Sequence, residues 1–301
     1  VGSEMCIRDR GKNYSQKIVD KGVSRGRMMQ EKGDALLSKI HPTVDYADLE
    51  GCNLVIEAVF EDIAIKADVT KKTEAVIPVN AIYASNTSTL PITDLSKASL
   101  RPERFIGLHF FSPVERMPLV EVISGSQTSD ETLAQALDFV GQMRMTPVLV
   151  NDGRGFYTSR VFQTFIHEGM RMLEEGVDPM LIEDSAKQAG MAVGPLTVTD
   201  ELTIELPWKI VQQSIAAEGD AYTMPCSYKV MQTMVEQEKR IGRRGAGGFY
   251  EYPEDGDKHI WPGLAKLWPV ADTQPDVEEL KKRFLYIQSL ETARCYEEGI
   301  L

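Results

Sequence analysis

Leu54-Val-Ile-Glu-Ala-Val-Phe60 is an apolar run interrupted by one glutamate. A run this short, apolar on both alternating faces, predicts a strand buried on both sides. Such strands belong to parallel sheets covered by helices. The pattern recurs downstream. A helix is expected at about 63–77, a short strand at Ala81-Ile-Tyr-Ala84, and a short helix near 91–98. Further apolar runs follow at 105–111, 119–123 and 147–150, with a helical pattern at 132–143. Strands alternating with helices predict an α/β domain with a mainly parallel sheet. Upstream, residues 11–40 read as helical and Val44-Asp-Tyr46 as a short strand.

Beyond residue 150 the texture changes. Asp152-Gly-Arg-Gly-Phe156 is a turn cluster. A long amphipathic helix then runs to about Glu175, with Val161, Phe162, Phe165, Met170 and Leu173 on or near one face. Gly176 and Pro179 separate it from a second helix, which Gly190 ends. Further helices are expected at 201–218, 226–240 and 277–298. Residues 256–276 carry Pro262, Pro269 and Pro275 and read as a linker. Glu168-Gly-Met-Arg-Met-Leu-Glu-Glu-Gly176 is echoed by Glu291-Thr-Ala-Arg-Cys-Tyr-Glu-Glu-Gly299, which suggests an internal repeat of the helical domain. The expected organisation is therefore a leader at 1–10, an α/β domain at 11–150, and a helical domain at 151–255. A linker and the start of a second repeat fill 256–301.

The first ten residues, VGSEMCIRDR, lack an amphipathic period and the apolar core of a secretory signal. Met5-Cys-Ile-Arg-Asp-Arg10 resembles a translated sequencing adapter. The sequence is therefore expected to be cut at both ends and to continue upstream of residue 11. Of 301 residues, 43% are hydrophobic and 26% charged, as in ordinary globular chains. A net charge of −12 argues against nucleic acid or an anionic membrane as the main partner. No run of about 18 apolar residues is present, so no membrane-spanning helix is expected. Cys6, Cys52, Cys226 and Cys295 show no metal or disulfide spacing, and a cytoplasmic, reducing location is the default expectation.

His109 and Glu121 stand out within this frame. Pro113 and Pro118 lie in the connector between the runs 105–111 and 119–123. If the runs fold back on each other, the midpoint of His109 and Glu121 falls at residue 115, inside that connector. The two side chains then oppose each other across adjacent strands. A carboxylate beside an imidazole fixes its tautomer and stabilises its cation. That is equipment for removing a proton from an alcohol. The plainer alternative is a structural histidine, with Glu121 on the solvent face between Val120 and Val122.

Several motifs carry a resemblance. They are LVIEAVFED (54–62), SNTSTL (85–90) and GLHFFSPVERMPLVEVI (107–123), followed by DGRGFYTSR (152–160), Gly194-Pro195 and GRRGAGGFYEY (242–252). In this order they resemble the 3-hydroxyacyl-CoA dehydrogenases, most of all the dehydrogenase part of the multifunctional fatty-acid β-oxidation proteins. The resemblance implies a dinucleotide-binding domain followed by a helical domain, with the active site in the cleft between them. It implies NAD as cofactor and an acyl-CoA as substrate, with a homodimer or a thiolase subunit as possible partners. It makes His109 the base and Glu121 the group that orients it. Ser88 is implied to contact the substrate oxygen and lie near the nicotinamide, with Ser112 and Ser159 on the substrate side. Glu61, Lys66 and Arg244 are implied to contact the cofactor. Ser15 and Lys21 align loosely with CoA contacts and otherwise read as solvated helix residues. Many members have asparagine where this chain has Ser112 and Ser159, a shorter donor and acceptor.

A dinucleotide fold also needs a glycine-rich turn after its first strand, so that a helix N-terminus reaches the pyrophosphate, and an acidic residue ending the second strand for the ribose. No G-x-G-x-x-G occurs before residue 50, and the glycines of 242–248 follow a helix. The expected fold is thus a partial Rossmann-type domain without its first strands, then an all-helical domain with a partial repeat. With the central strands missing, the strand near Val44 would lack neighbours and one edge of the 54–60 strand would be exposed. NAD binding by these residues alone is expected to be weak. Two other readings compete. One is a different NAD-dependent β-hydroxyacid dehydrogenase, which would use a catalytic lysine. The other is a non-catalytic assembly or docking module built on the helical repeat.

Overall fold

The computed structural model describes residues 5–301. The chain divides into two compact units, Val1–Arg154 and Gly155–Leu301.

In the first unit, period-two alternation decides what each strand buries. The strands are β1 (Leu54–Glu57), β2 (Ile82–Ser85), β3 (Phe105–Phe110), β4 (Leu119–Ser124) and β5 (Thr146–Asn151). They form one sheet in the order β1-β2-β3-β4-β5. Pairing is parallel except between β3 and β4, which run antiparallel. Ile106 and Leu108 of β3, with Val120 and Val122 of β4, are fully buried in a cluster with Ala136 and Val140 of helix Asp130–Gln142. The alternate residues of β3 serve the opposite face. Phe105 stacks on Tyr83, with ring centroids 5.2 Å apart. Gly107 lies under the helix Ile92–Ser96, where a β-carbon would come within 2.7 Å of the Ile92 side chain. His109 is next on that face.

Two expectations change upstream of the sheet. Val44-Asp-Tyr46 is not a strand. Asp45 instead caps a short 3-10 helix, Tyr46–Leu49, by accepting from the Ala47 amide. No described strand lies beside this segment, so an extended backbone there would have no ladder to join. The strand expected over 54–60 ends at Glu57, and β1 is the edge of the sheet. Residues 11–40 form two helices, Met5–Ser24 and Gln30–Leu37. Gly26, at φ +66°, breaks them. The first helix is described from Met5; residues 1–4 of the expected leader lie outside the described residues. The first unit runs a little past the expected boundary at 150. Asp152 accepts from the amides of Ile92 and Thr93 and so caps the helix Ile92–Ser96.

The second unit is helical around a core that includes Phe165, Met170, Leu173, Ile182, Leu196, Trp208, Met231, Phe249, Leu280 and Phe284. Its main helices are Thr158–Glu174, Pro179–Gln188, Pro195–Leu202, Glu205–Glu218 and Val277–Glu297. The helix expected at 201–218 is split by Thr203, at φ +77°. The one expected at 226–240 is an α-turn, Tyr228–Gln232, running into a π-turn, Thr233–Gln237. Residues 256–276, expected as a linker, are part of the packed unit. His259–Ile260 pairs with Tyr250–Glu251, Leu264 is 1% exposed, and Trp261 and Trp268 pack on the core. The apolar side chains outweigh the prolines there.

The two echoed helices meet. Arg160 of helix Thr158–Glu174 pairs with Glu291 at 2.7 Å and Glu298 at 2.5 Å on helix Val277–Glu297 and its C-cap. Arg283 returns the contact, to Glu168 and Glu175, each at 2.6 Å. Arg160 precedes Glu168 by the same step as Arg283 precedes Glu291. The contacts are therefore reciprocal as well as similar. His167, on the first of these helices, bonds Ser227 at 2.7 Å. Burial pushes its imidazole down to about 4, so the ring is neutral at pH 7.

Candidate active site

The antiparallel pairing of β3 and β4 places His109 directly opposite Glu121. The Nδ1 of His109 lies 2.9 Å from Oε2 of Glu121. Glu121 is fully buried and His109 is 7% exposed. A buried carboxylate needs a donor, and a protonated Nδ1 supplies one. In that tautomer the basic nitrogen of the ring is Nε2. The ring of Phe111 is 4.3 Å from the imidazole, centroid to centroid, and walls one side.

A second cluster lies at the C-terminal ends of β1 and β2, the end of a parallel sheet where ligands are usually held. Lys66, in the first turn of helix Ile63–Glu74, is 1% exposed. Its Nζ lies 2.6 Å from Oε1 of Glu57 and 3.5 Å from Oε2 of Glu61. Glu57 also accepts from the Ser85 hydroxyl at 3.0 Å. Oε1 of Glu61 accepts from the Thr87 hydroxyl at 2.5 Å and from the amides of Ser88 and Thr89 at 3.1 and 3.3 Å. Ser88 is exposed at the tip of this loop. Asn86 ties the loop to the histidine strand, its Oδ1 accepting from the Phe110 amide at 3.1 Å.

Glu61, Lys66 and the Ser88 loop are thus brought together, and the loop is joined to the strand that carries His109. Ser112 is exposed in the connector just after β3. Ser15 and Lys21 lie on the helix Met5–Ser24. Ser159 and Arg244 belong to the second unit. Ser159 is half-buried in the first turn of its helix and Arg244 is exposed in the glycine-rich turn. Sequence reading missed Glu57, Asn86 and Thr87. A signal for Glu57 was available, because one acid inside an apolar run must find a cation or a set of donors.

The glycines of 242–248 answer a structural need. Asp200, fully buried, accepts from the amides of Phe249 and Tyr250, both at 2.9 Å, and from the Tyr252 hydroxyl. A β-carbon on Gly248 would fall 1.9 Å from the Asp200 carboxylate. The turn is filled by a protein carboxylate and does not offer a phosphate cradle. Among the described residues no group of three or more His, Cys, Asp or Glu side chains has the arrangement of a metal site. No described helix is long and apolar enough to cross a membrane.

Residues 3–153 match the family model of the 3-hydroxyacyl-CoA dehydrogenase NAD binding domain, and residues 155–252 match that of its C-terminal domain. Over 294 residues the chain is 35% identical to the fatty acid oxidation complex subunit alpha of Shewanella baltica strain OS185. That alignment covers 96% of this chain and 41% of the relative, so the chain spans about two fifths of the curated protein's length. Two solved structures are similar. The (S)-3-hydroxybutyryl-CoA dehydrogenase PaaH1 from Ralstonia eutropha superposes with a TM-score of 0.77 at 29% identity, over 83% of this chain and 88% of that one. FadB2 of M. tuberculosis superposes with a TM-score of 0.75 at 28% identity, over 84% of this chain and 89% of that one. A model matching half the chain, a second matching most of the rest, and a relative aligned over 96% of this chain agree: the chain belongs to the 3-hydroxyacyl-CoA dehydrogenase family of NAD-dependent oxidoreductases.

Proposed function

We propose that this chain carries the proton-transfer half of the NAD-dependent oxidation of (S)-3-hydroxyacyl-CoA to 3-ketoacyl-CoA in fatty-acid β-oxidation. The observation that carries this reading is the buried His109–Glu121 pair at 2.9 Å. Nε2 of His109 takes the proton of the 3-hydroxyl, while Glu121 holds Nδ1–H and stabilises the imidazolium as it forms. NAD, when bound, supplies the hydride acceptor. Ser88 offers a hydroxyl to the substrate oxygen near the nicotinamide, and Ser112 and Ser159 serve the substrate side. Lys66, Glu61 and Arg244 are assigned to the cofactor side. A lysine-based β-hydroxyacid dehydrogenase is less well supported, because Lys66, buried in the first unit, is engaged by Glu57.

The residues fit only part of a dinucleotide site. The 301 residues contain no G-x-G-x-x-G turn after a strand, and the glycine-rich turn at 242–248 is occupied by Asp200. Without a turn and helix N-terminus at the pyrophosphate, most of the cofactor's binding free energy is lost. Calorimetric titration of the 301-residue chain with NAD is expected to give a Kd weaker than about 1 mM, equivalent to about 4 kcal/mol of binding. A micromolar Kd would show that this reading of the cofactor site is wrong.

The reciprocal arginine–glutamate contacts between the echoed helices support reading them as a partial internal repeat. A homodimer or a thiolase subunit is the partner proposed on the resemblance. A cytoplasmic setting is proposed on cysteine usage, the four cysteines showing no disulfide spacing along the sequence.

A further inference from the structure

The loop of residues 87–89, which presents Ser88, is organised around one oxygen atom. Oε1 of Glu61 receives the Thr87 hydroxyl, the Ser88 amide, the Thr89 amide and, at 3.2 Å, the Thr89 hydroxyl. A carboxylate oxygen offers about two lone-pair sites. Four donors saturate it, which leaves that oxygen no capacity for a ribose or a carboxamide. The other oxygen faces the Lys66 ammonium at 3.5 Å.

That ammonium is fixed from behind. At 1% exposure it has lost its water, a loss that only close anionic partners offset. Glu57, itself buried, supplies one at 2.6 Å and is held in turn by the Ser85 hydroxyl. The Asn86 carbonyl is a further contact, 3.4 Å from Nζ. The chain of contacts runs from the end of β1 through Lys66 and Glu61 to the Ser88 amide. On its other side the same loop is anchored to the residue after His109, through Asn86 and the Phe110 amide. The segment is therefore held at both ends, once to the histidine strand and once to the carboxylate.

We propose that Glu61 is a positioning residue: with Glu57 and Lys66 behind it, its carboxylate sets the conformation of residues 87–89 and so the place of the Ser88 hydroxyl relative to His109. The proposal deepens the dehydrogenase reading, and rests on it for the use to which Ser88 is put. Its test needs neither NAD nor acyl-CoA, so its failure is separate from a failure of that reading.

The experiment is residue-resolved amide hydrogen exchange on the full 301-residue chain and on two variants, Glu61→Ala and Glu61→Gln. Loss of the acceptor in Glu61→Ala should speed exchange at Ser88 and Thr89 about tenfold, as expected for one lost hydrogen bond each. Phe110, held by Asn86, should stay within about twofold. Glu61→Gln keeps an acceptor oxygen without the charge and should fall between, at about threefold. Unchanged exchange at Ser88 and Thr89 in either variant would overturn the proposal, as would a glutamine variant no better protected than alanine. Should Glu61→Ala fail to fold, the glutamine variant decides alone: about threefold faster exchange at Ser88 and Thr89 with Phe110 unchanged supports the proposal, and wild-type rates at Ser88 and Thr89 overturn it.

Discussion

Replacing His109 by glutamine is expected to lower kcat for acetoacetyl-CoA reduction by about 10³-fold, within the range for loss of a positioned general acid or base. Glutamine keeps the approximate length of the side chain and can still hydrogen-bond the carboxylate of Glu121. It has no nitrogen that accepts a proton and returns it near neutral pH. The loss should therefore fall on kcat, with KM for the acyl-CoA changed by no more than about threefold. The fold should survive, because His109 lies at the end of β3 and its strand is held by Ile106 and Leu108 on the opposite face. Because the chain is proposed to bind NAD weakly, the rate is best read in a chimera with a dinucleotide-binding β-α-β unit carrying G-x-G-x-x-G upstream of residue 11. A variant retaining more than about a tenth of the activity would remove His109 from the chemistry.

The second large effect concerns stability. Asp200→Ala is expected to destabilise the helical unit by about 3–5 kcal/mol. Asp200 collects the amides of Phe249 and Tyr250, while Arg240 donates to the carbonyls of Gly248 at 2.8 Å and Tyr250 at 3.0 Å. Between them these two buried side chains satisfy both donors and acceptors of a segment that enters the core as Phe249. Arg240 also lies over the Trp261 ring at 4.2 Å, which fixes its guanidinium. Alanine at 200 leaves two buried amides without acceptors and the Tyr252 hydroxyl without its carboxylate partner. In thermal denaturation the midpoint should fall by roughly 10 °C for a unit of this size. Asp200→Asn, which retains one oxygen, should fall by less. A midpoint within about 2 °C of the parent in Asp200→Ala would contradict this account of the turn.

The site was legible in the sequence where local rules determine geometry. The runs at 105–111 and 119–123 are short and apolar, each broken by one polar residue, and the connector between them carries two prolines. Folding them together about residue 115 gives the observed register, His109 opposite Glu121. The echo of E-x-x-R and E-E-G was visible too. The arginines that complete it were not, because Arg160 and Arg283 precede the similar segments and have meaning only once the two helices touch. The strand expected near Val44 failed for a related reason: extended structure is decided by a neighbour, and none of the described strands lies there. Prolines at 262, 269 and 275 suggested a linker, although Trp261, Leu264 and Trp268 were apolar enough to join a core. Glu57 was read only as an exception within an apolar strand. Its partner Lys66 lies one helical turn into the next element, a contact that spacing along the chain does not reveal.

The measurement that bears most directly on the central claim is a double-mutant cycle on His109 and Glu121, read as kcat in the same chimera. If the imidazole and the carboxylate act as one base, Glu121→Gln costs about 10²-fold alone, and adding it to His109→Gln costs almost nothing further. Effects that multiply, to about 10⁵-fold together, or a double variant that keeps most of its activity, would contradict it.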